Sequence, residues 1–219
     1  MTNLTIFDLD NTLLGGDSDH AWGEFLAAQG IVDRDAHMQA NNRFYEQYKN
    51  QTLDIIEYQS FVLKPLMGMS RADRDALHRE FMIAKIQPLR LAKADTLITQ
   101  HQQAGDVLLI ITATNYFVAG PIAEFLGINN ILATDPEVVD DLITGNIVGT
   151  PCFQEGKITR LHAWLAQQPF TPETITFYSD SINDRPLLEF SDKPVVVDPD
   201  DKLKKHALAV GWPIISLRD

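Results

Sequence analysis

Cysteine is almost absent from this chain: Cys152 is the one thiol in 219 residues, so no intramolecular disulfide can staple the fold. Long apolar runs are missing too. None reaches the ~18 to 20 residues needed to cross a bilayer, and no basic, apolar leader opens the chain, since acids begin at Asp8. The expectation is a cytoplasmic protein without a membrane partner. Positive charge is scarce: 18 Lys and Arg face 30 Asp and Glu, a formal net charge of -12. With no Lys/Arg cluster to offset it, a nucleic acid backbone would be repelled. Neither internal repeats nor low-complexity segments occur. What is present, 45% hydrophobic and 22% charged residues, is the composition of a globular protein, long enough for one core or for a core with a smaller insert.

The most informative stretch is Leu4 to Thr12, LTIFDLDNT. Leu4, Thr5, Ile6 and Phe7 read as a buried parallel strand, a kind covered by helices on both faces. In open α/β sheets ligands bind at the carboxyl ends of the strands, where Asp8 and Asp10 would converge on one group. Two anions there call for a cation between them, and oxygen donors suit a hard ion such as Mg²⁺. An acidic, solvated turn is the plainer alternative.

After Leu13-Leu14 the pair Gly15-Gly16 is placed to act as a hinge. From Asp19 to about Lys85 the pattern is helical, with apolar faces such as Ala21, Trp22, Phe25 and Leu26, and Ser70 as a helix cap. No strand signal interrupts these roughly 65 residues, too many for one crossover helix, so they read as a helical insert. Strands and helices then alternate: a helix over 91–104, the strand VLLIIT over 107–112, a helix over 117–126, and a short strand over 131–134. Next come 142–148 with a hairpin turn signal at Thr144-Gly145-Asn146, a helix over 158–167, strands over 175–178 and 195–197, and a last one over 214–217. The fold class is α/β, a three-layer, doubly wound, mostly parallel sheet.

Further polar residues fall on the same sheet edge. Thr112 ends a strand before a helix, where it serves as a helix cap or as a phosphate ligand. Lys157 opens a helix, an unfavourable place for a cation, which asks for another reason such as neutralising a phosphate or a carboxylate. Asp180 ends the strand ITFYSD, and Asp184 follows in Ser181-Ile182-Asn183-Asp184. A helix cap explains Asp184 but not Asp180.

Asp8-Leu9-Asp10-Asn11-Thr12, Thr112, Lys157 and Tyr178-Ser179-Asp180-Ser181-Ile182-Asn183-Asp184 resemble, in order and spacing, the four motifs of the haloacid dehalogenase superfamily of phosphatases. The insert resembles the cap of its phosphoserine-phosphatase-like branch. Ser179 stands where the family usually has glycine, a small-for-small change. The resemblance implies an α/β core over 1–15 and 87–219 and a cap over 16–86. It further implies Asp8 as a nucleophile that forms an aspartyl-phosphate, Asp10 as general acid and base, and Thr112 and Lys157 as ligands of the phosphoryl oxygens. Mg²⁺ would sit on Asp8, the backbone carbonyl of Asp10, and Asp180, with Asp184 and Asn183 orienting the metal's water or the phosphate. Transfer of the phosphoryl group to an alcohol instead of water stays open. Signalling receiver domains also combine acids, Thr and Lys, but lack a helical insert and carry the phosphorylated Asp after a later strand.

The partner is then a small phosphorylated metabolite. Asp17, Asp19 and Trp22 suit a cationic leaving group, or else are caps and packing. Arg43 is the nearest basic residue for a carboxylate such as that of phosphoserine. Relatives with a D-S-D-x-x-W stretch resemble histidinol-phosphate phosphatases, which implies histidinol phosphate or a similar amino-alcohol phosphate and a place in amino-acid biosynthesis. Oligomeric state is not legible.

Overall fold

In the computed structural model, which describes residues 2–218, strand β1 (Leu4–Phe7) is buried at every position. Four helices follow: α1 (Ser18–Ala28), α2 (Arg34–Asn50), α3 (Ile55–Leu63) and α4 (Arg71–Phe81). The remainder runs α5 (Ala92–Ala104), β2 (Val107–Asn115), α6 (Tyr116–Phe125), β3 (Asn130–Val139), β4 (Leu142–Val148), α7 (Glu155–Leu165), β5 (Ile175–Ser179), α8 (Arg185–Phe190), β6 (Lys193–Val197), α9 (Asp201–Val210) and β7 (Ile214–Ile215). The strands form one sheet of order β4-β3-β2-β1-β5-β6-β7, parallel throughout except for the β3–β4 pair. The outermost residues of the expected 1–15 and 87–219 segments, Met1 and Asp219, lie outside the described residues.

Alternation along the strands builds the three layers. Phe7, Leu108 and Ile110 pack with Ala94 and Ile98 of α5 and Val118 and Ile122 of α6, all essentially buried. Leu4, Ile6, Leu109 and Ile111 point the other way, onto Leu161 of α7, Leu187 and Leu188 of α8, and Leu203 of α9. Because side chains alternate with period two, an all-apolar strand must be covered on both faces, and the alternating helices do so.

The first four helices each begin at a side-chain cap: Asp17, Asp33, Asp54 and Ser70 accept amide hydrogens of His20, Ala36, Ile56 with Glu57, and Asp73. Each cap contributes about 1 kcal/mol. Their apolar core, including Trp22, Phe25, Val62, Leu66 and Phe81, is continuous with one face of the sheet. The two linkers to this block run side by side. Gly15 donates its amide to the Leu89 carbonyl at 2.7 Å, and Leu14 pairs with Arg90. A Cβ on Gly16 would come within 2.9 Å of the tip of the Leu89 side chain, so the linkers approach closely at the glycine pair.

The hairpin turn differs from the expectation at Thr144-Gly145-Asn146. It is made by Asp140 and Asp141, both at positive φ (48° and 65°), and Gly145 lies inside β4. Two consecutive Asp residues tolerate the left-handed region that a tight hairpin demands. The pairing register shifts between Pro136 and Val138, opposite the Gly145 region.

Candidate active site

The strand ends converge as the parallel sheet requires. Asp8 continues the β1 ladder, donating its amide to the Tyr178 carbonyl at 2.9 Å, and the chain then turns through Asn11 at positive φ (56°). Lys157 reaches the same point from the first turn of α7. A Cβ on Gly156 would lie 2.1 Å from the Pro151 carbonyl oxygen, so only glycine lets this turn seat against the preceding loop. The ammonium is 2.8 Å from Asp8 Oδ1 and 2.6 Å from Asp184 Oδ1, and Lys157 is 2% exposed, not a surface lysine. Burial opposes its charge, but Asp184 and Asp8 hold its pKa above the ordinary lysine value.

Asp184 directs its carboxylate inward: Oδ1 takes Lys157 and Oδ2 accepts the Ser179 hydroxyl at 2.7 Å. It makes no side-chain cap for α8. Its place here is that of a partner for Lys157 and Ser179. Asn183 lines a neighbouring cavity together with Asp180 and Tyr48. Its amide donates to the Tyr48 carbonyl at 3.0 Å and its oxygen accepts from Gln154 at 3.0 Å, so it links α2 to the loop and does not line the pocket over Asp8.

Asp10 is held from two sides. Its Oδ1 accepts the backbone amide of Ser18, at the start of α1, at 2.6 Å, and its Oδ2 accepts the Thr114 hydroxyl at 2.7 Å. Burial pushes its carboxyl up from the usual range, against these two bonds. The helix cap that Thr112 could have been is Asn115, whose side chain accepts from Val118. Thr112 is buried on the pocket wall, its oxygen accepting the Thr114 amide at 3.2 Å, which leaves its O–H to donate.

Asp180 completes the floor, accepting the Thr12 hydroxyl at 3.2 Å. Burial, with Asp8 and Asp184 adding repulsion, holds its carboxyl well above the ordinary range. Asp8 is raised by burial as well, Asp184 and Asp10 adding to the effect and Lys157 opposing it. Four enclosed carboxyl groups thus share one lysine. The surplus anions and the all-oxygen donor set fit a hard divalent cation such as Mg²⁺. Among the described residues no three His, Cys, Asp or Glu side chains gather tightly enough to hold a metal alone. The expected set asks for only two carboxylates, Asp8 and Asp180, with the Asp10 carbonyl and water, and Mg²⁺ commonly retains several waters.

Over this floor the first helices roof a pocket lined by Asp17, Asp19, His20, Asn41, Phe44, Tyr45, Tyr48 and Tyr58. Asp17 caps α1 through the His20 amide at 2.8 Å and also faces the pocket. Trp22 does not reach it. It is 1% exposed, packed between Phe25, His78, Phe81 and Phe117 in the apolar core, because position 22 falls on the inward face of α1. Arg43 is exposed on α2 and pairs with Glu57 at 2.9 Å, outside the pocket. Sequence reading missed Thr114, the Ser18 amide and the aromatic walls. The second hydroxyl of the Thr112-Ala113-Thr114 run was a usable signal; nothing local marks Tyr45 or Tyr58.

A family model described as haloacid dehalogenase-like hydrolase matches residues 5–189. A histidinol-phosphatase of Neisseria meningitidis serogroup C (strain 8013) is 44% identical over 222 residues, covering 100% of each chain. Among solved structures, a protein with unknown function from Bordetella pertussis Tohama I superposes with a TM-score of 0.93 at 39% identity, over 99% of this chain and 100% of that one. A phospho-aspartyl intermediate analogue of phosphoserine phosphatase gives 0.71 at 15% identity, over 99% and 94%, a likeness of fold.

Proposed function

This chain belongs to the haloacid dehalogenase-like hydrolases, and from that premise we propose that it is a Mg²⁺-dependent phosphomonoesterase acting through an aspartyl-phosphate on Asp8, with histidinol phosphate as substrate. Residues 16–86 act as its cap. That it is a phosphatase follows from its family and its 44% identical relative. The observation that carries the mechanism is the pairing of Asp8 with buried Lys157 directly beneath an Asp10 held by two hydrogen bonds.

Lys157 fixes the Asp8 carboxylate at Oδ1 and shares its charge with an incoming phosphoryl oxygen, while the Thr112 hydroxyl donates to another. Asp8 attacks phosphorus, the bond to the ester oxygen breaks, and Asp10 gives its proton to the departing alkoxide. The phosphoryl group then rests on Asp8. Asp10, now anionic, takes a proton from water as that water attacks phosphorus, the bond to Asp8 breaks, and phosphate is released. The raised pKa of Asp10 suits the first role. Asp8, Asp180 and the Asp10 carbonyl would hold Mg²⁺, whose charge lets an anionic nucleophile approach an anionic ester. Asp184 keeps Lys157 charged and in place.

The substrate rests on the relative named histidinol-phosphatase and on the acidic, aromatic roof. The test is phosphate release from a panel of phosphomonoesters, with and without chelator. Histidinol phosphate should be turned over fastest, with activity lost in EDTA and restored by Mg²⁺. Full activity after exhaustive chelation overturns the metal assignment, and a faster phosphoserine reaction overturns the substrate.

A further inference from the structure

The pocket roof has a charge imbalance that the phosphoryl chemistry leaves unused. Asp19, on the first turn of α1, is 5% exposed and lines the pocket, yet its Oδ1 has no hydrogen-bond partner. A buried carboxylate oxygen left without a partner is destabilising, and it stands beside a second acid, Asp17, on the same wall. No lysine or arginine is among the described residues lining this pocket. The lysines and arginine near it are paired elsewhere: Lys157 lies below with Asp8 and Asp184, Lys85 pairs with Glu24 at 2.8 Å, and Arg43 pairs with Glu57 outside, while the pocket's imidazole, His20, meets Asn41 at 3.0 Å through Nδ1 and lies 3.8 Å from Glu24 through Nε2.

We infer that Asp19 is the counter-ion for an ammonium group on the leaving alcohol, so that the enzyme selects amino-alcohol phosphates and rejects those bearing a carboxylate. This rests on the phosphatase reading and sharpens its substrate class. The ammonium supplies the donor that Oδ1 lacks and brings the positive charge the roof is short of. A carboxylate in the same position would meet Asp17 and Asp19 with no lysine or arginine to receive it, and burial would amplify the repulsion. Tyr58, a partly buried neighbour of Asp19 on the wall, adds an aromatic face for the cation. Burial first, then Asp17 and Asp10, hold the Asp19 carboxyl well above its ordinary value, with the Tyr58 and Thr114 hydroxyls opposing.

The experiment uses the full chain with Mg²⁺ and two matched ester pairs. Phosphoethanolamine and O-phosphoserine differ by one carboxylate; histidinol phosphate and 3-(imidazol-4-yl)propyl phosphate differ by one ammonium. In the wild type kcat/KM should favour the first member of each pair by about tenfold or more, the scale of one charged contact. Asp19→Asn, nearly isosteric, should shrink the second ratio toward unity. Calorimetric binding of histidinol itself, weaker in Asp19→Asn than in the wild type, gives a readout independent of turnover. A ratio that survives Asp19→Asn, unchanged histidinol binding, or phosphoserine handled as well as phosphoethanolamine overturns this inference while leaving the phosphatase intact. Absence of phosphate release from all four esters overturns the phosphatase reading and the inference together.

Discussion

The sheet edge and the helical block treat buried polar atoms differently. At the sheet edge each motif carboxylate has a protein partner: Lys157 for Asp8 and Asp184, Ser18 and Thr114 for Asp10, Thr12 for Asp180. In the helical block, buried atoms of Ser18, Asp19, Trp22, Gln47 and Gln59 have none, and only Asn115, Arg160 and His206 join them from elsewhere among the described residues. Groups that act on the phosphoryl oxygens are held ready on rigid strand ends, as preorganised catalysis requires. Of the five block residues only Asp19 lines the pocket, so the unmet bonding capacity open to a ligand is confined to that one carboxylate. The lesson is that the two regions should respond to mutation in different currencies, one in rate and the other in selectivity or stability.

The largest expected effect is on the sheet edge. Asp8→Asn should lower kcat by about 10³ or more, since an amide is a poor nucleophile, while the unfolding transition stays cooperative. Wild-type turnover, with deamidation excluded by mass spectrometry, would remove Asp8 from its role. In the block, Trp22→Ala should lower unfolding stability by roughly 3 to 5 kcal/mol, the usual range for emptying a buried aromatic site. Denaturation reads the loss, and the rate ratio between cationic and neutral esters should not move. A changed ratio would return Trp22 to the recognition surface.

Thr114→Val tests the joint between the regions. Its hydroxyl positions Asp10, so kcat should fall about tenfold, a part of what general acid–base catalysis contributes, with KM little altered and Thr114→Ser restoring most of the rate. An effect confined to KM would place Thr114 on the substrate instead.

The smallest effect concerns His78, which joins α4 to α6 by donating from Nε2 to the Val118 carbonyl at 3.1 Å. Burial lowers its pKa from 6.5. The unfolded chain therefore binds a proton more readily than the folded one. Stability is full above about pH 6.5 and is lost as pH falls through the lowered folded value, by at most about 1.4 kcal/mol per pH unit. His78→Gln, which keeps an N–H donor, should flatten this part of the denaturation profile. Identical slopes in the two proteins would assign the loss to other groups.

Much of the architecture was readable because it follows from local pattern. The uncharged runs Leu4–Phe7 and Val107–Ile111 announced strands buried on both faces, and the strand-free 16–86 region announced helices. Asp8, Asp10, Thr112 and Asp180 could be placed together from strand ends, since parallel strands bring their carboxyl ends to one edge, whereas Lys157, at a helix start, joined them only through the order and spacing of the family motifs. The hairpin turn was misplaced because Thr144-Gly145-Asn146 and Asp140-Asp141 both carry turn chemistry, and pairing with β3 decides between them.

Trp22, left open between recognition and packing, and Arg43 fall outside the pocket for a related reason: a helix turns its residues around an axis, and only packing fixes which side meets the pocket. By itself the sequence determined the parallel sheet, the insert and the acids at the sheet edge, because burial and chain direction are set by local apolar pattern and by the strand–helix order. The tertiary structure alone decided that Lys157 is spent on Asp8 and Asp184, that Thr114 and the Ser18 amide grip Asp10, and that Asp19 is left without a partner. Hydrogen bonds such as that of Lys157 to Asp8, 149 positions apart, depend on how elements pack, and no local pattern encodes that.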